Sequence, residues 1–234
     1  MKHKLIIVLF LILVVAIGTG IYCKSTYKDF NDENNVLNNF VVAGISNSLL
    51  EKQIELMNDT LCNSKIIIAA ECRETFTYRY ACVTQQIEVL SVFKGEEIRE
   101  GDIIDIARAS SLVSTNKDSM INGKYIINMG FVNEMIPGKT YLIFLDRKLD
   151  ILDGENIFIQ SEEYLLAPIF CYENIVNDIP VQEEDDAYIN YEYVRNNEFF
   201  IREDISNDKI QIFKDKILSE YMYLPLSQKA GTII

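Results

Sequence analysis

Carboxylates, cysteines and one histidine are the only side chains in this chain whose chemistry and spacing invite a catalytic or binding reading. Asp146, Asp150, Asp153 and Glu155 crowd one short stretch, and Glu183-Glu184-Asp185-Asp186 forms a second acidic run beside Tyr188, Tyr191 and Tyr193. Oxygen-rich loops hold calcium, but the first cluster does not have the D-x-[DN]-x-[DN]-G spacing, so turn chemistry and solvation account for it. The second run reads as a solvated acidic loop, or as a patch for a cation or a protein. Paired carboxylates also serve as acid and base in glycoside hydrolysis, a role open to any acidic domain of this size. Ser110, Ser111 and Lys117 lack the spacing of a Ser–Lys dyad.

His3 is the sole histidine and lies before the first apolar run. The rest of the chain has no imidazole, which removes Ser-His-Asp and Cys-His catalysis, H-E-x-x-H peptidases and His-ligated metals together. Neither G-x-x-x-x-G-K-[ST] nor G-x-G-x-x-G occurs, so no phosphate cradle is encoded. No C-x-x-C occurs either, which excludes a zinc ribbon. These exclusions lead to an expectation of no catalytic residues, no cofactor and no metal.

The cysteines are Cys23, Cys62, Cys72, Cys82 and Cys171. Cys72 and Cys82 flank Phe76-Thr77-Tyr78, and a hairpin turning there sets them opposite one another. Opposed residues sit about 4.5–5.5 Å apart at Cα, which a disulfide tolerates. Cys23 belongs to the membrane edge, and the alternative for the other four is buried thiols that pack as small hydrophobes.

The elements that must position these groups begin with an address. After Met1-Lys2-His3-Lys4, residues 5–23 carry no charge. These residues make roughly 28 Å of helix, enough to cross a hydrocarbon core. An uncleaved anchor and a cleaved signal peptide both fit. Ala16-Ile17-Gly18 and Gly18-Thr19-Gly20 are passable cleavage sites, and Tyr22 before Cys23 argues against lipidation. Lys2 and Lys4 favour an inside N-terminus, so the chain from about residue 24 is expected outside the cytoplasm, held by the membrane or secreted.

The whole chain carries −13; its first thirty residues hold four lysines against Asp29, which leaves −16 on the remainder. So negative a surface repels phosphate backbones, and nucleic acid is excluded as a partner. An unidentified protein or envelope ligand is the expected partner. The 234 residues, 49% of them hydrophobic, suffice for one core plus an anchor. The organisation expected is a signal-anchor at 1–23, a polar stalk at 24–45, and an external domain at 46–234.

Within that domain, Ser48 and Glu51 have capping-box spacing, and Leu50, Ile54, Met57 and Leu61 recur at helical steps, predicting a helix over 48–61. Ile66–Ala70 is a short apolar strand. Residues Tyr78–Phe93 alternate, with Ile87, Val89 and Ser91 on one side and Gln86, Glu88, Leu90 and Val92 on the other, predicting one long strand. Further strands are expected over Asp102–Ala107, Tyr125–Met129, Thr140–Leu145, Ile157–Ile159 and Tyr164–Phe170. Residues 108–120 read as a loop, and Asp153-Gly154 as a hairpin turn. Ile210, Phe213, Ile217 and Tyr221 mark a closing helix over 207–223. The fold class expected is mainly β (α+β), a small antiparallel barrel with flanking helices.

A strand ending in Phe93-Lys94-Gly95, then Gly101-Asp102-Ile103-Ile104-Asp105-Ile106, then Pro137-Gly138-Lys139-Thr140-Tyr141-Leu142-Ile143-Phe144-Leu145, resembles the netrin-like barrels. That group includes the tissue inhibitors of metalloproteinases, and its bacterial relatives are exported proteins. The resemblance spans roughly residues 65–145 and implies an OB-type five-stranded barrel. The inhibitors' activity is not implied: it needs a free N-terminal cysteine, and Cys23 follows an apolar segment without a good cleavage site. The functional expectation is a membrane-anchored binding or interaction module without catalysis, with a carboxylate-dependent envelope hydrolase as the alternative.

Overall fold

The computed structural model describes residues 2–26, 29–79, 82–108, 123–150, 156–179 and 188–223. The chain divides into two units, Met1–Asn34 and Asn35–Ile234. In the first, helix α1 spans Lys2–Thr26, and Ile6–Ser25, with a mean hydropathy of 2.8, is long and apolar enough to cross a membrane. A signal sequence passes the same test. The stalk expected at 24–45 is shorter than its composition suggested. Val36, Leu37, Phe40, Val41 and Val42 are buried, and strand β1 (Phe40–Ala43) is a paired member of the second unit.

That unit is α+β. A large sheet takes β2 (Ile66–Cys72), β3 (Thr77–Arg79), β4 (Cys82–Lys94), β5 (Ile103–Ala107), β7 (Thr140–Leu145), β8 (Arg147–Lys148), β9 (Ile157–Ile159) and β10 (Ile169–Cys171). Their order is β10-β7-β2-β4-β5-β9-β8, with β3 on β4. Every pair is antiparallel except β5–β9, which is parallel. A smaller sheet sets β1 between β6 (Tyr125–Ile126), parallel to it, and β11 (Tyr188–Asn190), antiparallel.

β4 organises the large sheet. Its inward residues Val83, Gln85, Ile87 and Val89 are buried, as the alternation predicts. Its register against β2 shifts twice, between Ile67 and Ile68 and between Ala69 and Ala70. An extra residue on one strand bends it and steepens its twist, so the long strand curls over the core. The strand expected from Tyr78 to Phe93 is in fact a hairpin, because Tyr78 pairs with Val83 in the β3–β4 ladder. Gly95, at φ +119°, ends β4 against Ile66, a conformation that L side chains rarely adopt.

Helix α2 (Asn47–Thr60) follows the expected stripe, burying Leu50 and Met57. Ser46, not Ser48, stands at its N-cap, which dissolves the Ser48–Glu51 capping box. Glu203 instead accepts from the Asn47 amide at 3.1 Å, and Glu51 pairs with Lys209. Helix α4 starts earlier than expected, at Asp204, and ends at Glu220; Ile210, Phe213 and Ile217 enter the core. Tyr221 sets its ring against Phe93 and Phe144 at 5.5 and 5.6 Å. A short helix α3 (Tyr191–Val194) follows β11. The strands expected over Tyr125–Met129 and Tyr164–Phe170 shrink to β6 and β10. The Asp153-Gly154 turn, expected to join the Thr140–Leu145 region to Ile157–Ile159, lies outside the described residues; the strand that pairs antiparallel with β9 is β8.

Candidate functional site

Residues 129–136 connect the two sheets without belonging to either, and the buried side chains of Arg108, Gln85 and Tyr141 hold them. Gly130 and Phe131 are both left-handed, at φ 59° and 58°. For a bulky residue that conformation is rare and costs about 1–2 kcal/mol. The neighbours over-determine it. Phe200 donates its amide to Phe131 O at 2.8 Å, Ala167 to Gly130 O at 2.9 Å, and Asn133 its own to Glu198 O at 2.8 Å.

Arg108 holds the segment from beneath. Its guanidinium donates to Met129 O (3.1 Å), Val132 O (2.8 Å) and Asn133 O (2.6 Å), and it lies 5.6 Å from the centroid of Phe76. Only 2% of the residue is exposed. Burial lowers its affinity for the proton to a pKa of about 10, while the nearby Glu134 charge pulls the other way. Gln85, from the inward face of β4, pairs with Met135 like a strand neighbour: its Oε1 accepts from Met135 N at 2.8 Å and its Nε2 donates to Met135 O at 2.9 Å. Tyr141 Oη accepts from Ile136 N at 2.7 Å. Asn133 donates to Arg195 O and Asn197 O, and accepts from Tyr191 Oη at 3.1 Å.

Glu134 is the titrating group of this assembly. It is half-buried, and burial pushes its carboxyl up to about 7 against the opposing pull of Arg108. The same carboxylate raises the Tyr78 and Tyr191 phenols, after burial itself. A carboxyl poised near neutrality can give or take a proton at physiological pH.

The residues singled out in the sequence fall elsewhere. Cys72 and Cys82 are free thiols, and their expected opposition is corrected by the register. Cys72 stands across from Ile87, and Cys82 across from Arg79, because the chain turns later than Phe76–Tyr78. Cys72 Sγ lies 3.2 Å from Glu74 O and 3.4 Å from Met135 O, and burial pushes the thiol up to about 12. Asp146 pairs with Lys65 and Arg147, both at 2.9 Å; Asp150 is exposed. Asp153, Glu155, Ser110, Ser111, Lys117 and the 183–186 run lie outside the described residues. Among the described residues no three His, Cys, Asp or Glu side chains converge as metal ligands.

A second buried polar centre was also missed. Lys214 on α4 donates to Glu198 Oε2 at 2.5 Å and to Glu173 O at 3.1 Å, while Glu198 Oε1 accepts from Cys171 N at 2.7 Å. Burial outweighs the lysine and raises the Glu198 carboxyl. Two of these residues were legible. Arg108 continues the inward phase of Ile104 and Ile106, and Lys214 lies within the Ile210–Phe213–Ile217 stripe. Nothing in the local pattern marks Glu134 or Glu198.

Comparison with protein-family models finds none that matches the chain, and a search of curated proteins finds no match either.

Proposed function

We propose that the chain is a membrane-anchored, extracytoplasmic binding module, without catalytic activity, built on an OB-type five-stranded barrel. The barrel rests on one observation. β7 and β8 are separated only by Asp146, yet β7 pairs with β2 and β8 with β9. Asp146 N donates to Ile159 O at 2.9 Å across that junction, and Leu149 N to Ile157 O at 2.8 Å. Taken as one bent strand, β7–β8 returns the order β2-β4-β5-β9 to its start. The parallel β5–β9 pair suits the OB path, and the netrin-like resemblance over 65–145 leads to the same architecture.

OB barrels commonly bind on their second and third strands, here β4 and β5. Their outward residues Gln86, Glu88, Ile103 and Asp105 pair across the ladder, and Ile103 is 56% exposed. Supporting the outside location are the apolar helix α1, the lysines in its first turn and the −16 that follows. The partner is an envelope ligand or protein, not a nucleic acid.

Two measurements test this. In a Cys23→Ser variant expressed in a bacterial host, an impermeant maleimide added to intact cells should label the exposed Cys62; labelling only after lysis rejects the outside location. Retention on isolated cell-wall sacculi should fall in Ile103→Asp, and equal retention removes the β4–β5 face. Glu134 favours a second reading, the carboxylate-dependent hydrolase. Release of reducing ends from sacculi by the wild type, lost in Glu134→Gln, would establish that reading and displace the first.

A further inference from the structure

Between α4 and residues 172–177 lies a cleft of about 510 Å³, within the range of about 300–1,000 Å³ usual for small-molecule sites. We propose that it binds a neutral, polyhydroxylated ring compound, a single pyranose unit. This inference depends neither on the barrel nor on the β4–β5 face.

The lining supplies interleaved donors and acceptors, most of them uncharged. Asn177 is fixed from behind: its Oδ1 accepts from the amides of Glu198 and Phe199 at 2.8 and 3.0 Å. Its Nδ2 donates to Asn207 Oδ1 at 3.1 Å, which leaves one hydrogen on Asn177 Nδ2 and both on Asn207 Nδ2. Gln211 spends Nε2 on Asp215 Oδ1 at 3.0 Å and keeps its Oε1 as an acceptor. The Asn174 amide makes no hydrogen bond to a described residue. Hydroxyl groups, which donate and accept at one atom, are the partners that satisfy such a mixture.

Charge selects against anions. Lys214 borders the cleft, but its ammonium is held by Glu198 and its side chain is 2% exposed. Glu173 is already paired with Lys139. An anion therefore meets no free cation, within a domain of strongly negative charge. One wall is apolar. Tyr172 spends its hydroxyl on Tyr221 O at 2.6 Å and offers the ring, beside Ile175 and Leu218. A molecule with hydroxyls on one side and C–H groups on the other fits both walls.

The full chain in lipid nanodiscs, titrated with glucose and with N-acetylglucosamine and followed by the side-chain amide resonances of Asn174, Asn207 and Gln211, tests this. Saturable shifts with at least one sugar are expected, with affinity at least tenfold weaker in the Asn174→Ala/Gln211→Ala variant. Asn174 is exposed and Gln211 half-buried, and an unchanged core amide spectrum in the double variant is the folding control. Absence of saturable shifts with both sugars overturns the proposal. So do shifts that survive unchanged in the double variant, or a stronger response to inorganic phosphate or ethylammonium than to the sugars.

Discussion

The Lys214 ammonium lies 2.5 Å from the Glu198 carboxylate, with side chains only 2% and 3% exposed. Breaking such a pair strands a charge in the interior and costs about 3–5 kcal/mol, whereas replacing both partners by apolar groups is often neutral or better. Lys214→Met and Glu198→Gln should each lower the urea midpoint strongly, and Lys214→Met/Glu198→Leu should recover much of the loss. A double variant no more stable than the singles would show that the pair's other hydrogen bonds, to Glu173 O and Cys171 N, dominate.

Arg108 donates to three carbonyls of the irregular 129–136 segment. Arg108→Lys keeps the charge but cannot span all three, and removal of buried hydrogen bonds to a charged group costs about 1.5–3 kcal/mol each. Thermal denaturation should therefore show Arg108→Lys to be nearly as damaging as Arg108→Met. Wild-type stability in the lysine variant would mean the segment holds its left-handed turn unaided.

Glu134 gives the domain an unusual pH dependence. Its carboxyl rises from 4.5 to about 7 on folding, so the folded chain holds more protons than the unfolded chain between those values. Its contribution to stability is greatest below pH 4.5 and falls as pH rises through 7. Glu134→Gln keeps the shape and removes the titration. Melting temperatures measured from pH 5 to 8 should show the variant gaining on the wild type as pH rises; parallel curves would refute the raised carboxyl.

The thiols should divide by exposure. Cys62 is exposed, whereas Cys72 and Cys171 are buried with their thiols pushed up to about 12 and 11. The thiolate is the reactive form, so iodoacetamide at pH 8 should modify Cys62 readily and spare Cys72 and Cys171 until denaturant is added. In denaturant without reductant all five cysteines should react. A mass short by two labels, restored by reductant, would re-establish a Cys72–Cys82 bond.

If β7 and β8 form one strand that closes a barrel, the amides of Asp146 and Leu149 should exchange as slowly as those in the middle of β7. Hydrogen exchange read by NMR distinguishes this from an open sheet, where both would exchange like loop amides.

The sequence made the framework legible where side chains repeat on a period. Leu50 and Met57 on α2, Ile87 and Val89 on β4, and Ile210, Phe213 and Ile217 on α4 all face inward as their spacing required. What it hid were contacts made by single side chains to distant backbone. Arg108 reaches carbonyls more than twenty residues on, and Gln85 reaches Met135, fifty residues away. Such contacts leave no local period. The polar run after β5 invited a loop reading that swallowed Arg108, and the symmetric placement of Cys72 and Cys82 suggested a turn three residues too early. Glu134 owes its character to burial, which composition does not carry.

One contact near the helix–sheet junction bears on how copies of this chain behave when crowded. β10 is a three-residue border of the large sheet, and an outward-facing amide there is an invitation to strand addition by a neighbour. Glu198 fills that position on Cys171 at 2.7 Å, so the docking point is occupied by an internal carboxylate. Both that carboxylate and the strand it caps are buried, so the border is sealed against self-stacking from within the fold.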